Sequence, residues 1–100
     1  MLKTFRTYEL AVAFYQDVKG LRIESHLKEQ LVRAAASIAL NAAEGYGRRT
    51  PADRRRHFHI ALGSLRESQA ALALAGVTDE QVIDRADHIG GCLWKLVKRG

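Results

Sequence analysis

This sequence predicts an all-α fold, namely an antiparallel up-down-up-down four-helix bundle. Apolar residues recur at steps of three and four along four segments, and no segment alternates with the period of two that a half-buried strand needs. The single proline, Pro51, stands where a helix would begin. Short connections between the segments favour antiparallel neighbours. A chain of 100 residues can build one hydrophobic core, so residues 1–100 should form a single domain.

The first two helices are predicted from their apolar spacing and their ends. We expect the first helix from Thr4 to Lys19, with Gly20 as its C-terminal stop. We expect the second helix to begin at a Ser25 cap and to continue to about Tyr46, where two glycines flank the tyrosine.

The third and fourth helices begin at recognisable capping sequences. Thr50 should cap the third helix, with Pro51 at its first position and Asp53 completing a capping box, and this helix should run to about Ala75. A second capping box at residues 78–81 should start the fourth helix, and its last turns contain cations that suit a helix C-terminus. These cations are Lys95, Lys98 and Arg99.

Composition narrows the possible environments and chemistries. The N-terminal residues lack the apolar region of a signal peptide, and no apolar run is long enough to span a bilayer. A lone Cys92 fits a reducing compartment, so we expect a cytoplasmic protein without membrane contact. His88 and Cys92 lie four residues apart, but no second ligand pair follows. We therefore expect no metal, no cofactor and, since no nucleophile or phosphate-loop motif is present, no enzymatic activity.

The second helix differs from an ordinary bundle helix because apolar residues surround it almost completely between Leu31 and Ala43. A helix that is apolar on all sides should be covered on several sides. The sequence therefore predicts a homo-oligomer with this helix at the centre. The alternative is that the alanines are simply good helix formers on a tolerant surface.

A polar stripe runs along the same helix at steps of four, four and three. Its members are Arg33, Ser37, Asn41 and Glu44. If the second and third helices are antiparallel, facing residues should have numbers that sum to about one hundred. This rule pairs Arg33 with Glu67, Asn41 with His59, and Glu44 with Arg55 or Arg56. We expect these residues to form a structural polar network that fixes the helix register.

The net charge of +5 is concentrated in one place. Residues 48–56 contain five arginines and one aspartate, whereas the rest of the chain contains eleven basic and ten acidic residues. Such a patch suits an anionic partner, and guanidinium groups match phosphate geometry. The predicted nucleic-acid-binding residues are Arg48, Arg49, Arg54 and Arg55, followed by Arg56 and His57. The alternative is a solvated charged turn.

The order of several short segments is also informative. Residues 33–38 read Arg-Ala-Ala-Ala-Ser-Ile, residues 41–49 read Asn-Ala-Ala-Glu-Gly-Tyr-Gly-Arg-Arg, and residues 63–67 read Gly-Ser-Leu-Arg-Glu. With Phe58 and Ala61, this order resembles the four-helix-bundle family encoded in bacterial 23S ribosomal RNA intervening sequences. The resemblance implies a cytosolic pentamer, similar in fold to the accessory variability protein of diversity-generating retroelements.

The residues and the resemblance together predict a non-catalytic, self-assembling protein that binds RNA or another nucleic acid through its arginine-rich end. A different possibility is a scaffold that docks an acidic protein or a reverse transcriptase. A third is a ribonuclease of the HEPN type, because Arg54 and His59 bracket four residues as in that family's motif.

Overall fold

The computed structural model describes the backbone of residues 2–99 and the side chains of residues 5–98. Within this range the chain forms four α-helices and no strand, which confirms the predicted all-α class. The helices are α1 (Leu2–Lys19), α2 (Ser25–Gly47), α3 (Pro51–Leu74) and α4 (Glu80–Arg99). Their ends lie close to the predicted ones. The side chain of Arg99, predicted to lie favourably at the end of α4, is outside the described residues.

Each helix packs against the next one along the chain, and α1 also packs against α4. The four apolar faces enclose one elongated core, and the molecule measures 40 × 21 × 18 Å. The largest fully buried apolar side chains are Phe14, Phe58, Leu31, Ile38, Leu65, Ile89, Leu93 and Val18. Every buried side-chain nitrogen or oxygen in the described part of the chain has a hydrogen-bond partner, as expected for a well-packed core.

The helix starts agree with the sequence predictions in one case and differ in two. Thr50 caps α3 as predicted, since its Oγ1 accepts a hydrogen bond from the Asp53 backbone amide at 3.1 Å. The Ser25 cap is wrong, because the Glu24 carboxylate accepts from the first amides of α2. At α4 the cap is Asp79, whose Oδ1 accepts from the Gln81 amide at 3.0 Å. In both cases a carboxylate takes the place of a hydroxyl, which the positive end of the helix dipole favours.

The α2–α3 pair is antiparallel, and its register is close to the predicted one. The Oγ atoms of Ser37 and Ser64 are 2.7 Å apart, and one helical turn further along α2, Asn41 contacts His57. The two helices are in close contact at Gly45, near the 48–50 connection. A Cβ atom on Gly45 would lie 2.5 Å from Cε1 of Phe58, so the absence of a side chain lets the Phe58 ring pack against the α2 backbone. This contact positions the arginine-rich connection.

Candidate nucleic-acid interface

The arginine-rich segment forms one end of the α2–α3 hairpin. We call residues 48–56 the basic turn. It comprises the C-cap residue of α2, a two-residue connection and the first two turns of α3. Thr50 and Pro51 fix the start of α3, so the arginines at positions 54–56 lie on a rigid helix, whereas Arg48 and Arg49 lie just beyond the end of α2. The five predicted phosphate-binding arginines are therefore brought together at one end of the molecule.

Arg54 has a structural function that the sequence did not indicate. Its Nη1 atom donates hydrogen bonds to the backbone carbonyls of Arg48 and Arg49, each at 3.0 Å. These carbonyls follow the end of α2, and a cation near a helix C-terminus interacts favourably with its dipole. Arg54 thus holds the connection closed, and only its remaining nitrogens can contact a ligand.

Two more arginines are partly neutralised by carboxylates. Arg48 pairs with Glu44 at 3.0 Å and lies 3.8 Å from Asp53, and Arg56 lies 3.5 Å from Asp53. The prediction that Glu44 pairs with Arg55 or Arg56 is therefore wrong. Glu44 lies in the last turn of α2 and Arg48 is its C-cap residue, four positions later, a spacing at which side chains meet directly. These exposed pairs are weak and could be exchanged for phosphate contacts.

Arg49 and Arg55 are the arginines of the basic turn whose guanidinium groups have no ion pair or hydrogen bond within residues 5–98. Arg49 is exposed and Arg55 is half-buried. A charged group without a protein partner is the one most available to an anionic ligand. The structure therefore distinguishes these two from the other arginines, a distinction that the sequence did not make.

His57 belongs to the interior of the bundle. It is only 7% exposed, its Nδ1 lies 3.2 Å from Oδ1 of Asn41, and its Nε2 lies 3.2 Å from Nη2 of Arg56. The predicted Asn41–His59 pair is therefore wrong, as is the placement of His57 on the binding surface. His57 and His59 are separated by about 200° of rotation around the helix. Because His57 faces α2, His59 points away from it and is exposed.

The polar network includes a serine that the sequence analysis did not select. Ser37 Oγ contacts Ser64 Oγ and also accepts from Asn41 Nδ2 at 3.2 Å, which connects the serine pair to His57. The rule of facing residues, applied to Ser37, would have indicated a position next to Ser64. Arg33 and Glu67 are both exposed, and no ion pair joins them among the described side chains, which contradicts their predicted pairing.

The outer face of α2 is apolar only in part. Of the apolar residues between Leu31 and Ala43, all except Leu40 and Ala43 are buried or half-buried within the single chain. A smaller apolar stripe does stay exposed. Leu40 is 65% exposed, and Ala43 and Tyr46 follow it on α2. Ala43 and Tyr46 also border a cavity of about 210 Å³ with Phe5 and Tyr8 of α1.

Other kinds of site find little support in the described residues. No three histidine, cysteine or acidic side chains come together there in a way that could hold a metal ion; His88 is exposed and Cys92 is half-buried. None of the four helices, over the part of the chain the structure describes, is hydrophobic enough to cross a lipid bilayer.

The fold and the basic turn together define the class: a small four-helix bundle with a cluster of arginines at one end. The sequence model of one protein family, described as 23S rRNA-intervening sequence protein, matches residues 4–89. The chain belongs to this family, which confirms the resemblance seen in the sequence. Comparisons with curated proteins and with solved structures found no match.

Proposed function

We propose that this protein is a non-catalytic, self-assembling nucleic-acid-binding protein of the cytoplasm, with RNA as the favoured ligand. The observation on which the proposal rests is the basic turn, where the chain's excess positive charge is concentrated and where Arg49 and Arg55 have no described partner. Phosphate backbones are the common ligands of such a surface. The proposed assembly is a ring of up-down-up-down bundles, pentameric as the sequence resemblance implies.

Assembly and binding are connected by geometry. A shallow depression next to the exposed apolar stripe of α2 is lined by Leu40, Ala43, Glu44, Gly47 and Arg48, so the stripe is continuous with the basic turn. A second copy of the chain that covered Leu40 would bring a second basic turn near the first. Repeating the patch in this way multiplies the number of phosphate contacts and hence the avidity for a long nucleic acid.

The test of nucleic-acid binding uses two double variants that remove the same charge. Arg49→Ala/Arg55→Ala removes the two unpaired arginines of the basic turn. Arg22→Ala/Arg33→Ala removes two exposed arginines outside it. Fluorescence anisotropy with a labelled RNA, measured over a salt series, should show weaker binding and a log K versus log salt slope reduced by about 1.5–2 for the first variant only.

Three results would change this conclusion. Equal affinities for the two double variants would mean that the basic turn is not the site. If the protein bound neither RNA nor DNA but did bind an acidic protein or a reverse transcriptase, the scaffold function would be favoured. Cleavage of the RNA that His59→Ala abolishes would favour the ribonuclease alternative. One observation argues against the ribonuclease: Arg54 Nη1 already donates hydrogen bonds to two backbone carbonyls.

Self-assembly is tested by light scattering on two variants that each place a carboxylate on an exposed leucine. Leu40→Glu changes the apolar stripe of α2, and Leu74→Glu changes a leucine near the other end of α3 that is 76% exposed. The first variant should lower the molar mass toward that of one chain, and the second should not. Helical circular dichroism signals must match the parent protein. A parent protein that is monomeric at all concentrations would refute assembly.

A further inference from the structure

Two rows of residues border each other on the outer side of α3 and α4. The α3 row follows helical steps of four and three and consists of Arg55, His59, Leu62, Arg66 and Gln69. The α4 row follows the same spacing and consists of Asp87, Gly91, Trp94 and Lys98. A hydrogen bond from Gln69 Nε2 to Asp87 Oδ1, 3.1 Å long, joins the two rows at one end. From there the antiparallel rows run toward the basic turn.

The strip of surface formed by these two rows, which we call the groove, is positively charged. Arg55, His59 and Arg66 have no ion pair or hydrogen bond among the described side chains, and Lys98 makes no ion pair there either. The carboxylate in the two rows, Asp87, is already bonded to Gln69. From position 55 to position 66 the α3 row is about 16 Å long, so the charges form a stripe that starts in the basic turn and continues along the bundle.

An aromatic ring lies in the middle of this stripe. Trp94 is 49% exposed, which is unusual for the largest apolar side chain, and Lys98 Nζ lies 4.3 Å from its ring centroid. Trp94 is the protein's single tryptophan. Exposed aromatic rings beside cations are the surfaces on which unpaired bases stack.

Gly91, one turn before Trp94, leaves space next to the ring. A glycine inside a helix is unfavourable compared with alanine, so an internal glycine calls for a reason. For Gly90 the reason is packing, because a Cβ atom there would lie 2.9 Å from Cδ2 of Leu65. No such contact explains Gly91, which is exposed and has open space where a Cβ atom would be. A side chain at position 91 would occupy the surface beside Trp94.

We propose that the groove between α3 and α4 binds a single-stranded segment of nucleic acid, with one base stacked on Trp94. Arg55, Arg66 and Lys98 contact the phosphates on either side of that base. The charge of the rows selects an anionic chain, and the exposed ring selects unpaired bases, which a duplex does not offer. This inference rests on the proposed function, because Arg55 belongs to both the basic turn and the groove. It specifies that the ligand is single-stranded, and it extends the site from the α2–α3 pair to the α3–α4 pair.

The test uses the fluorescence of Trp94 as a direct reporter. Titration with a single-stranded 12-nucleotide oligoadenylate should quench the emission, and a duplex of the same length should quench it little. Anisotropy with the labelled oligonucleotide should show that Trp94→Ala weakens binding about 5- to 100-fold, whereas Trp94→Phe retains most of the affinity. Gly91→Leu, which fills the adjacent space, should weaken binding while leaving the helical signal intact. Leu74→Ala serves as the control for loss of an exposed apolar side chain.

The outcomes separate this inference from the proposed function. Binding that depends on Arg49 but leaves Trp94 emission and the affinity of Trp94→Ala unchanged would overturn the groove and leave the proposed function intact. Absence of any binding would overturn both. A duplex that binds and quenches as strongly as the single strand would refute the assigned strandedness. A drop in molar mass for Trp94→Ala would assign Trp94 to a subunit interface and overturn the inference.

Discussion

A methyl group added at Gly45 of α2 would meet the ring of Phe58 in α3. The added Cβ atom would lie 2.5, 2.8 and 2.9 Å from three ring carbons, whereas carbon atoms in contact are normally about 3.5–4.0 Å apart. The ring is 1% exposed and cannot turn into solvent, so the helices must separate by about 1 Å. Overpacking of this kind costs about 1–3 kcal/mol, and alanine returns at most about 1 kcal/mol of helix propensity. With the full propensity gain subtracted, Gly45→Ala should therefore lower the free energy of unfolding by up to about 2 kcal/mol.

The assay is urea unfolding followed by circular dichroism at one fixed subunit concentration, because assembly makes stability concentration-dependent. Gly63→Ala is the matched control. Gly63 is exposed within α3 and has no atom near an added Cβ, so this change should raise the free energy of unfolding by up to about 1 kcal/mol. Gly45→Ala should also weaken RNA binding, because the same contact positions Arg48 and Arg49. A Gly45→Ala protein that gained as much stability as Gly63→Ala would refute the close approach of the two helices.

Substitutions at three further positions test single interactions by the same unfolding assay. Thr50→Ala should cost about 1 kcal/mol through loss of the α3 cap, and Thr50→Ser should cost little because the hydroxyl is kept. Asn41→Ala should cost about 1–3 kcal/mol, since it leaves Nδ1 of the buried His57 ring without its acceptor and removes one of the two partners of the Ser37 hydroxyl. Asp17→Asn should cost on the order of 1–2 kcal/mol, because the Asp17–Arg85 pair between α1 and α4 is about three-quarters or more buried.

Each of these predictions has a result that contradicts it. A fully stable Thr50→Ala protein would mean that the cap is not needed. An unaffected Asn41→Ala protein would mean that water replaces the amide. If Asp17→Asn had almost no effect on the free energy of unfolding, or an effect that salt removed, the Asp17 carboxylate would be exposed to solvent as in a surface ion pair.

The architecture of this protein could be predicted from local patterns of residues. Four helices, the Thr50 cap and the approximate register of α2 against α3 were predicted, because apolar periodicity, capping hydroxyls and short connections act locally. The family also followed from the order of residues in α2 and α3.

Which polar groups bond within the protein and which face solvent depends on how the helices pack, and the sequence did not predict it correctly. Residues two positions apart differ by about 200° around a helix axis, so an error of two residues in the register replaced His57 by His59 as the partner of Asn41. Arg54 became a structural residue because two backbone carbonyls at the end of α2 lie within its reach. Trp94 joined the candidate site only because α4 packs beside α3, and such a contact between distant segments depends on packing that no local pattern specifies.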